Sequence, residues 1–303
     1  GFNPTQTNLI DNIEGGLNNQ FRSSSFRNKS ELQSYFGRVN ATLYQKLLVT
    51  ATLRSDGSTK LGVNNKYDYF PSVGLAYKVI EDKDGLVNNL KLRANYGITG
   101  NQEFAPNSAI SRASFGGGDG STIVDSNANE NLKWETTTSS GVGVDFGLFN
   151  NKLTGSVDYF QRDTKDLIFP VPASASQPGP PSPRFVNLPG NLINKGYEVS
   201  ANYKIIDSEK LTWDIAANAS FVSNKIKNFG DVFIQAGALN GQGLTGAYAQ
   251  IVANNQPIYS YYMYEFRGYD SAGASIYADA NGGDTGLGLA SKKIVGQQGL
   301  PKM

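Results

Sequence analysis

Tyr35-Phe36-Gly37-Arg38-Val39-Asn40-Ala41-Thr42-Leu43, followed by Tyr44-Gln45-Lys46 and then Leu47-Leu48-Val49-Thr50-Ala51-Thr52-Leu53, alternates with period two on both sides of a tight turn. Tyr35, Gly37, Val39, Ala41 and Leu43 are apolar or small, and Arg38, Asn40 and Thr42 between them are polar. Leu47, Val49, Ala51 and Leu53 repeat the pattern against Thr50, Thr52 and Arg54. Successive side chains of a strand point to opposite faces, so this stretch predicts a hairpin with one apolar and one polar face.

The same pattern recurs along the chain. It is carried by Tyr69, Pro71, Val73, Leu75 and Tyr77, then by Leu90, Leu92, Ala94 and Tyr96. A fifth segment places Trp134, Val142, Val144 and Phe146 in one parity class, with Thr136, Thr138 and Ser140 making its middle less apolar. The sixth has Leu153, Gly155, Val157 and Tyr159, and the Asn150-Asn151 pair before it suits the positive φ of a tight hairpin. Tyr197, Val199, Ala201, Tyr203 and Ile205 form the seventh, and Leu211, Trp213, Ile215, Ala217, Ala219 and Phe221 the eighth. Short connections at 44–47, 79–89, 147–152 and 206–210 alternate with long ones at 54–69, 98–133, 163–194 and 224–258. An outer-membrane barrel sorts its connections in this way, with tight turns on one side of the bilayer and long loops on the other. Several segments reach the ~9–11 residues that a tilted strand needs to cross a bilayer, against about 5–6 in ordinary sheets.

Composition agrees. The chain has 303 residues, 34 of them Gly, with 11% aromatic and only 17% charged residues. The net charge of +1 and the lack of a basic cluster give no reason to expect nucleic acid. Cys and His both number 0, which excludes disulfides, thiol nucleophiles, His triads and His or Cys metal sites. No apolar run reaches the ~18 residues of a membrane-spanning helix, and alternating strands average to the slightly negative mean hydropathy of −0.36. The second-parity residues are mostly Arg, Lys, Asn, Thr, Ser and Asp, which only a wide barrel with a wet or plugged interior can face inward. The expected fold is all-β: residues 1–303 form part of one large antiparallel transmembrane β-barrel, with long extracellular loops and short periplasmic turns. No signal peptide opens the chain and no closing strand ends it, so it reads as a fragment.

Leu90-Lys91-Leu92-Arg93-Ala94-Asn95-Tyr96-Gly97-Ile98-Thr99-Gly100-Asn101-Gln102 resembles the barrel of SusC-like (RagA/SusC) TonB-dependent outer-membrane transporters. Further blocks similar to that family follow in its order: Tyr35-Phe36-Gly37-Arg38-Val39-Asn40, Arg54-Ser55-Asp56-Gly57-Ser58, Phe70-Pro71-Ser72 and Leu132-Lys133-Trp134-Glu135-Thr136-Thr137. Gly143-Val144-Asp145-Phe146-Gly147-Leu148-Phe149-Asn150-Asn151, Asn194-Lys195-Gly196-Tyr197-Glu198 and Gly268-Tyr269-Asp270 continue the series. The resemblance implies a barrel of about 22 strands with an N-terminal plug, of which plug, N-terminal region and closing strands lie outside this chain. It implies TonB-dependent import of an oligomeric nutrient, glycan or peptide, across the outer membrane of a Gram-negative bacterium. The implied partners are a SusD-like surface lipoprotein acting as a lid, TonB-ExbB-ExbD through the N-terminal region, and outer-membrane lipids.

Individual motifs admit a bland reading beside a functional one. Asp56-Gly57 reads as a turn, with Arg54 paired locally, rather than as a ligand site at the barrel mouth. Gly97-Ile98-Thr99-Gly100-Asn101-Gln102 has no Lys and no following helix, so it reads as a rim turn and not a phosphate loop. Asp279, Asn281 and Asp284 resemble part of a calcium loop without its closing Glu; a polar turn is the reading preferred, calcium is the alternative, and no other cofactor is expected. The aromatic run Tyr259, Tyr261, Tyr262, Tyr264 and Phe266 reads as a belt or packing strand ahead of a sugar-stacking face. The 170–189 loop, with Pro170, Pro172, Pro178, Pro180, Pro181, Pro183 and Pro189, reads as a stiff arm for a lid protein or as an inert connection. Phe104, Arg112, Phe115, Arg184, Phe185, Tyr259 and Tyr262 are the candidates for ligand or lid contact. No pair of acids stands apart as a glycosidase pair would, so an enzyme is not expected. The alternatives to import are a SusC-like barrel serving as scaffold or accessory subunit in a larger outer-membrane assembly, and a soluble β enzyme acting on carbohydrate.

Overall fold

The computed structural model describes residues 28–82, 84–115, 122–126, 128–171, 184–239, 241, 246–297 and 300–301. The chain opens with β1 (Leu32–Leu43), β2 (Leu47–Ser58), β3 (Tyr67–Glu81) and β4 (Val87–Asn101), makes a small hairpin of β5 (Arg112–Phe115) and β6 (Thr122–Ser126), and returns as β7 (Glu135–Leu148) and β8 (Leu153–Lys165). A second small hairpin, β9 (Ile168–Val171) and β10 (Arg184–Asn187), precedes β11 (Asn191–Asp207) and β12 (Thr212–Lys227). Then come β13 (Phe233–Ala238), β14 (Tyr248–Ala253), β15 (Ser260–Tyr264), β16 (Phe266–Tyr269), β17 (Ser275–Ala278), β18 (Asp284–Thr285), β19 (Lys292–Gln297) and β20 (Leu300–Pro301). The eight segments predicted from alternation form one antiparallel sheet in the order β1-β2-β3-β4-β7-β8-β11-β12.

Register keeps each parity class on one face throughout. Leu43, Leu47, Tyr77, Leu92, Val144, Val157, Val199 and Ala219 are successive cross-strand partners. This apolar face is uncovered: Val39, Val73, Leu92, Val142, Val157, Tyr197 and Trp213 are all exposed. Two aromatic lines bound it. Tyr69, Tyr96, Tyr159, Tyr197 and Phe221 run along the long-loop side, where the rings of Tyr159 and Tyr197 meet at 5.1 Å. Tyr77, Phe146, Tyr203 and Trp213 run along the short-turn side.

Both lines cross the ladder obliquely in the same sense. Tyr96 lies opposite Val73 rather than Tyr69, and Phe146 lies beyond Val144, the partner of Leu92, which itself faces Tyr77. Strands tilted against a flat membrane produce that parallel drift. On β3 the distance from Tyr69 to Tyr77 is about 27 Å along the strand. At a tilt of ~40° that is roughly 20 Å of depth, near the ~25 Å apolar band of outer-membrane barrels.

The short connections are 44–46, 82–86, 149–152 and 208–211. Phe149, Asn150 and Asn151 have φ of 56°, 59° and 57°, as the Asn-Asn pair predicts, and Tyr44 and Gln45 take 50° and 58°. All three register shifts of the main sheet, within 78–80, 87–89 and 204–206, adjoin these turns, as bulges do at barrel rims. The bulged Asn88 is buried: its Nδ2 donates to the carbonyls of Asp82 and Gly85, and its Oδ1 accepts from the Asn151 N–H at 3.1 Å. Asn88→Ala strands these groups and is expected to cost about 1–3 kcal/mol, read as a lower urea midpoint for the full-length protein in lipid vesicles.

The long connections are shorter than alternation alone suggests. β2 runs to Ser58 and β3 starts at Tyr67, so Asp56-Gly57 is strand and not a turn: Asp56 pairs with Asp68 and Gly57 with Tyr67. Ladder hydrogen bonds outweigh the turn preference of Asp-Gly here, and a Cβ on Gly57 would lie 2.3 Å from the ring of Tyr67. β4 likewise runs to Asn101, so Gly97 and Gly100 lie within a strand and the expected rim turn is corrected. Space sets Gly100, whose Cβ would meet Phe70 at 2.3 Å and Trp134 at 2.8 Å.

A wall one sheet thick has no interior, and the buried cores lie at its long-loop end. One contains Leu61, Phe70, Ala109, Leu132 and Trp134; the other contains Leu188, Ile226, Phe229 and Val252.

Candidate functional site: the polar face and the loop platform

The polar face carries an ion-paired network at its centre. Arg93 of β4 lies opposite Gly143 of β7, which lies opposite Asp158 of β8. The Arg93 Nη2 reaches across Gly143 to Asp158 Oδ1 at 2.8 Å and also meets Asp145 Oδ1 at 2.7 Å. Lys91 holds the other oxygen of Asp145 at 2.7 Å. A Cβ on Gly143 would lie 2.1 Å from Asp158 Oδ1 and 3.0 Å from Arg93 Nη2, so the absence of a side chain is what lets one arginine join three strands. Gly143→Val is expected to break the Arg93–Asp158 pair and cost about 1–3 kcal/mol as an overpacked site. The check is the temperature at which the full-length barrel loses its fast gel mobility in SDS.

Nearer the loop end, Arg54 Nε donates to Asp56 Oδ2 at 2.6 Å and its Nη2 to Ser34 Oγ at 2.8 Å, the local pairing expected from sequence. Two depressions open on this face. One, of about 660 Å³, is lined by Arg38, Thr52, Arg54, Asp56, Ser72 and Gly97; the other, of about 320 Å³, by Arg93, Asp158, Phe160, Arg162 and Glu198.

At the long-loop end, Leu132-Lys133-Trp134-Glu135 joins three connections. The Trp134 Nε1 donates to the Lys66 carbonyl at 3.0 Å, and its ring meets Phe70 edge-on at 5.4 Å. The Leu132 carbonyl accepts the Gly62 N–H at 2.8 Å. Lys133 and Asn187 exchange two hydrogen bonds, of 3.0 and 2.9 Å, and Lys133 Nζ pairs with Asp166 at 2.9 Å. Glu135 accepts from Asn101 and from the Ile168 N–H. Loops 59–66, 102–134 and 166–190 are thereby tied into one platform. A further tie lies beside it, where the Ile226 N–H donates to the Gln256 carbonyl and the Ile258 N–H to Asn224 Oδ1, both at 2.9 Å.

Of the sequence candidates, Phe104, Arg112, Phe115, Arg184 and Phe185 lie on these loops, and Tyr259 and Tyr262 lie at and after the second core. Phe104 and Phe185 come together, with ring centroids 5.5 Å apart, against the first core. Arg112 and Phe115 lie on the backbone of β5 and Arg184 on that of β10. Tyr259, with φ of 56°, packs against the second core, and Tyr262 meets Phe233 edge-on at 5.4 Å. Pro172, Pro178, Pro180, Pro181 and Pro183 lie outside the described residues. The Asp279 Oδ1 accepts the N–H groups of Asn281 and Gly283 at 2.8 and 2.7 Å, and Asp284 Oδ1 accepts from Arg267 at 3.0 Å. Among the described residues no His, Cys, Asp and Glu cluster is arranged to hold a metal ion. The sequence reading gave no role to Gly143, Glu135 or Asn187, although the first two lie in blocks similar to the family. The signal for Gly143 is a glycine inside a strand, which marks a close approach; Asn187 has none, because its partners Asp166 and Lys133 stand 21 and 54 residues away in the chain.

The sequence model described as "TonB dependent receptor-like, beta-barrel" matches residues 2–292. The chain is 34% identical to "TonB-dependent receptor P3" of Formosa agariphila over 94% of its length and 31% of that protein's. It is 32% identical to "TonB-dependent receptor SusC" of Bacteroides thetaiotaomicron, over 86% of its length and 28% of that protein's. The chain thus spans about a third or less of these relatives. Its fold matches the RagAB peptide transporter with a TM-score of 0.74 at 23% identity, covering 88% of this chain and 30% of that one. Members of this group are receptors and transporters of the outer membrane rather than enzymes. The uncovered apolar face, the ion-paired polar face and these likenesses lead to one conclusion: the chain belongs to the TonB-dependent receptor-like β-barrel family.

Proposed function

We propose that this chain is part of the barrel wall of a TonB-dependent importer in the outer membrane of a Gram-negative bacterium. Its cargo is an oligomeric nutrient, glycan or peptide, and a SusD-like lipoprotein closes the long-loop end. The observation that carries the reading is a wall apolar on one face and hydrophilic on the other, with its long connections tied into a platform at one end. A lid needs a fixed seat, and the Trp134 hub supplies one. Phe104, Arg112, Phe115, Arg184, Phe185, Tyr259 and Tyr262 lie on the elements that would meet ligand or lid. No bond is made or broken in this process, and no cofactor is required.

Two similar proteins carry names in keeping with it: SusC, and RagAB, a peptide importer seen in "closed-closed" and "open-open" states. The test is mass spectrometry of whatever copurifies with the full-length protein from outer membranes in mild detergent. A stoichiometric surface lipoprotein is the expected result. Stable association with unrelated surface machinery would favour a scaffold role instead, and recovery in the soluble fraction would overturn both.

A further inference from the structure

Arg38, Thr52, Ser72, Gly97, Ser139 and Arg162 form one cross-strand row of the polar face, each the direct partner of the next through β1, β2, β3, β4, β7 and β8. The four inner members are hydroxyl residues or glycine. The floor is low at Gly97, where a Cβ would come within 3.0 Å of the Ser72 Cβ. The row joins the two depressions, which share Asn95 and Ser139 in their linings.

Charge along the row is unbalanced. Arg54 and Arg93 are engaged by Asp56 and by Asp145 and Asp158. Among the described residues Arg38 donates only to the neutral Thr52 hydroxyl, at 3.1 Å, and Arg162 lies over the Phe160 ring at 5.2 Å. Neither has a carboxylate within ion-pair distance among the described residues. Arg38 and Arg54 are diagonal neighbours on adjacent strands, with Arg54 turned toward Asp56 and Ser34. Of the acids bordering the depressions, Asp56 and Asp158 are already paired. Glu198 accepts from the Ser220 hydroxyl and lies farther along β11 from Asn194, the residue opposite Arg162.

We propose that this row is a binding track for an extended acidic oligomer, its carboxylates or sulfates held by Arg38 and Arg162 and its hydroxyl or amide groups by Thr52, Ser72 and Ser139. Neighbouring strands lie about 4.8 Å apart, so the two arginines are separated by roughly 24 Å, a span that a chain of several residues covers and a single small anion does not. Guanidinium groups suit the task because each can bind a carboxylate through two parallel N–H donors. The proposal rests on the import reading and names the charge class of its cargo.

The test uses the full-length protein in detergent and two matched probe pairs: an oligogalacturonate against its methyl ester, and a glutamate-containing peptide against its glutamine counterpart. Calorimetry at low salt should give about tenfold tighter binding of the acidic member of at least one pair. Arg38→Gln and Arg162→Gln should each remove most of that advantage, Arg38→Lys should keep part of it, and Lys204→Gln, at the short-turn end of the same sheet, should leave it intact. Equal affinities within each pair overturn the proposal while leaving import standing. A preference that survives both Gln variants, or that Lys204→Gln also removes, overturns it too. If no member of either pair binds, the acidic track falls, while the import reading, which fixes no charge class and has its own copurification test, stands.

Discussion

Trp134→Ala is expected to release the loop platform and lower stability by about 3–5 kcal/mol, the range for deleting a buried aromatic. Trp134 is only 4% exposed. Its ring fills the space between Phe70 and Gly100, and its Nε1 is the donor for the Lys66 carbonyl. Removal leaves a cavity and takes from the Lys66 carbonyl one of its two donors, the Ser58 N–H remaining, and it weakens the tie between loops 59–66 and 102–134 to the hydrogen bonds that Gly62, Asn64 and Asn65 make with 130–132. The wall beneath keeps its own ladder, so the effect should be local first. Limited proteolysis of the full-length protein should cut within 59–66 and 102–134 before any cut in the sheet. Trp134→Phe, which keeps most of the volume but not the donor, should cost about 1 kcal/mol. Equal protease resistance of the Ala variant and the parent would show that the platform does not depend on this hub.

Val73→Arg is the second large effect, expected at about 2–4 kcal/mol for a cation near the bilayer midplane. Val73 lies midway between Tyr69 and Tyr77 on β3 and is 40% exposed on the apolar face. A guanidinium placed there has no partner and must reach along the wall to water. Asn202→Arg is the control: Asn202 is on the opposite face beside Asp214, with Nδ2 3.2 Å from Oδ2, and should change little. Urea unfolding in lipid vesicles separates the two. A Val73→Arg variant as stable as Asn202→Arg would contradict the assignment of the apolar face to lipid.

The eight wall strands were legible in the sequence because alternation is local. Each of Val73, Leu92, Val157 and Val199 declares its face through neighbours two positions away, and no distant residue is needed. The Asn150-Asn151 turn was legible for the same reason, since its positive φ angles are a property of those residues. Asp56-Gly57 and Gly97–Gly100 misled because turn preference is a weak local bias. Pairing with Asp68 and Tyr67 in one case, and packing under Phe70 and Trp134 in the other, overrides it.

The sequence by itself determined the strands, their two faces and the sorting of connections into short and long. Only the tertiary structure decided which residues share a row. Arg38 and Arg162 stand far apart in the chain and meet the same line of hydroxyls only after five strand pairings fix the register. Arg93 finds Asp158 only across the gap left by Gly143, and Trp134 finds Lys66 only once two loops fold onto the rim. Periodicity is written in adjacent residues, whereas register, bulges and loop packing come from contacts between distant ones, and those contacts settle where charge and empty space come together.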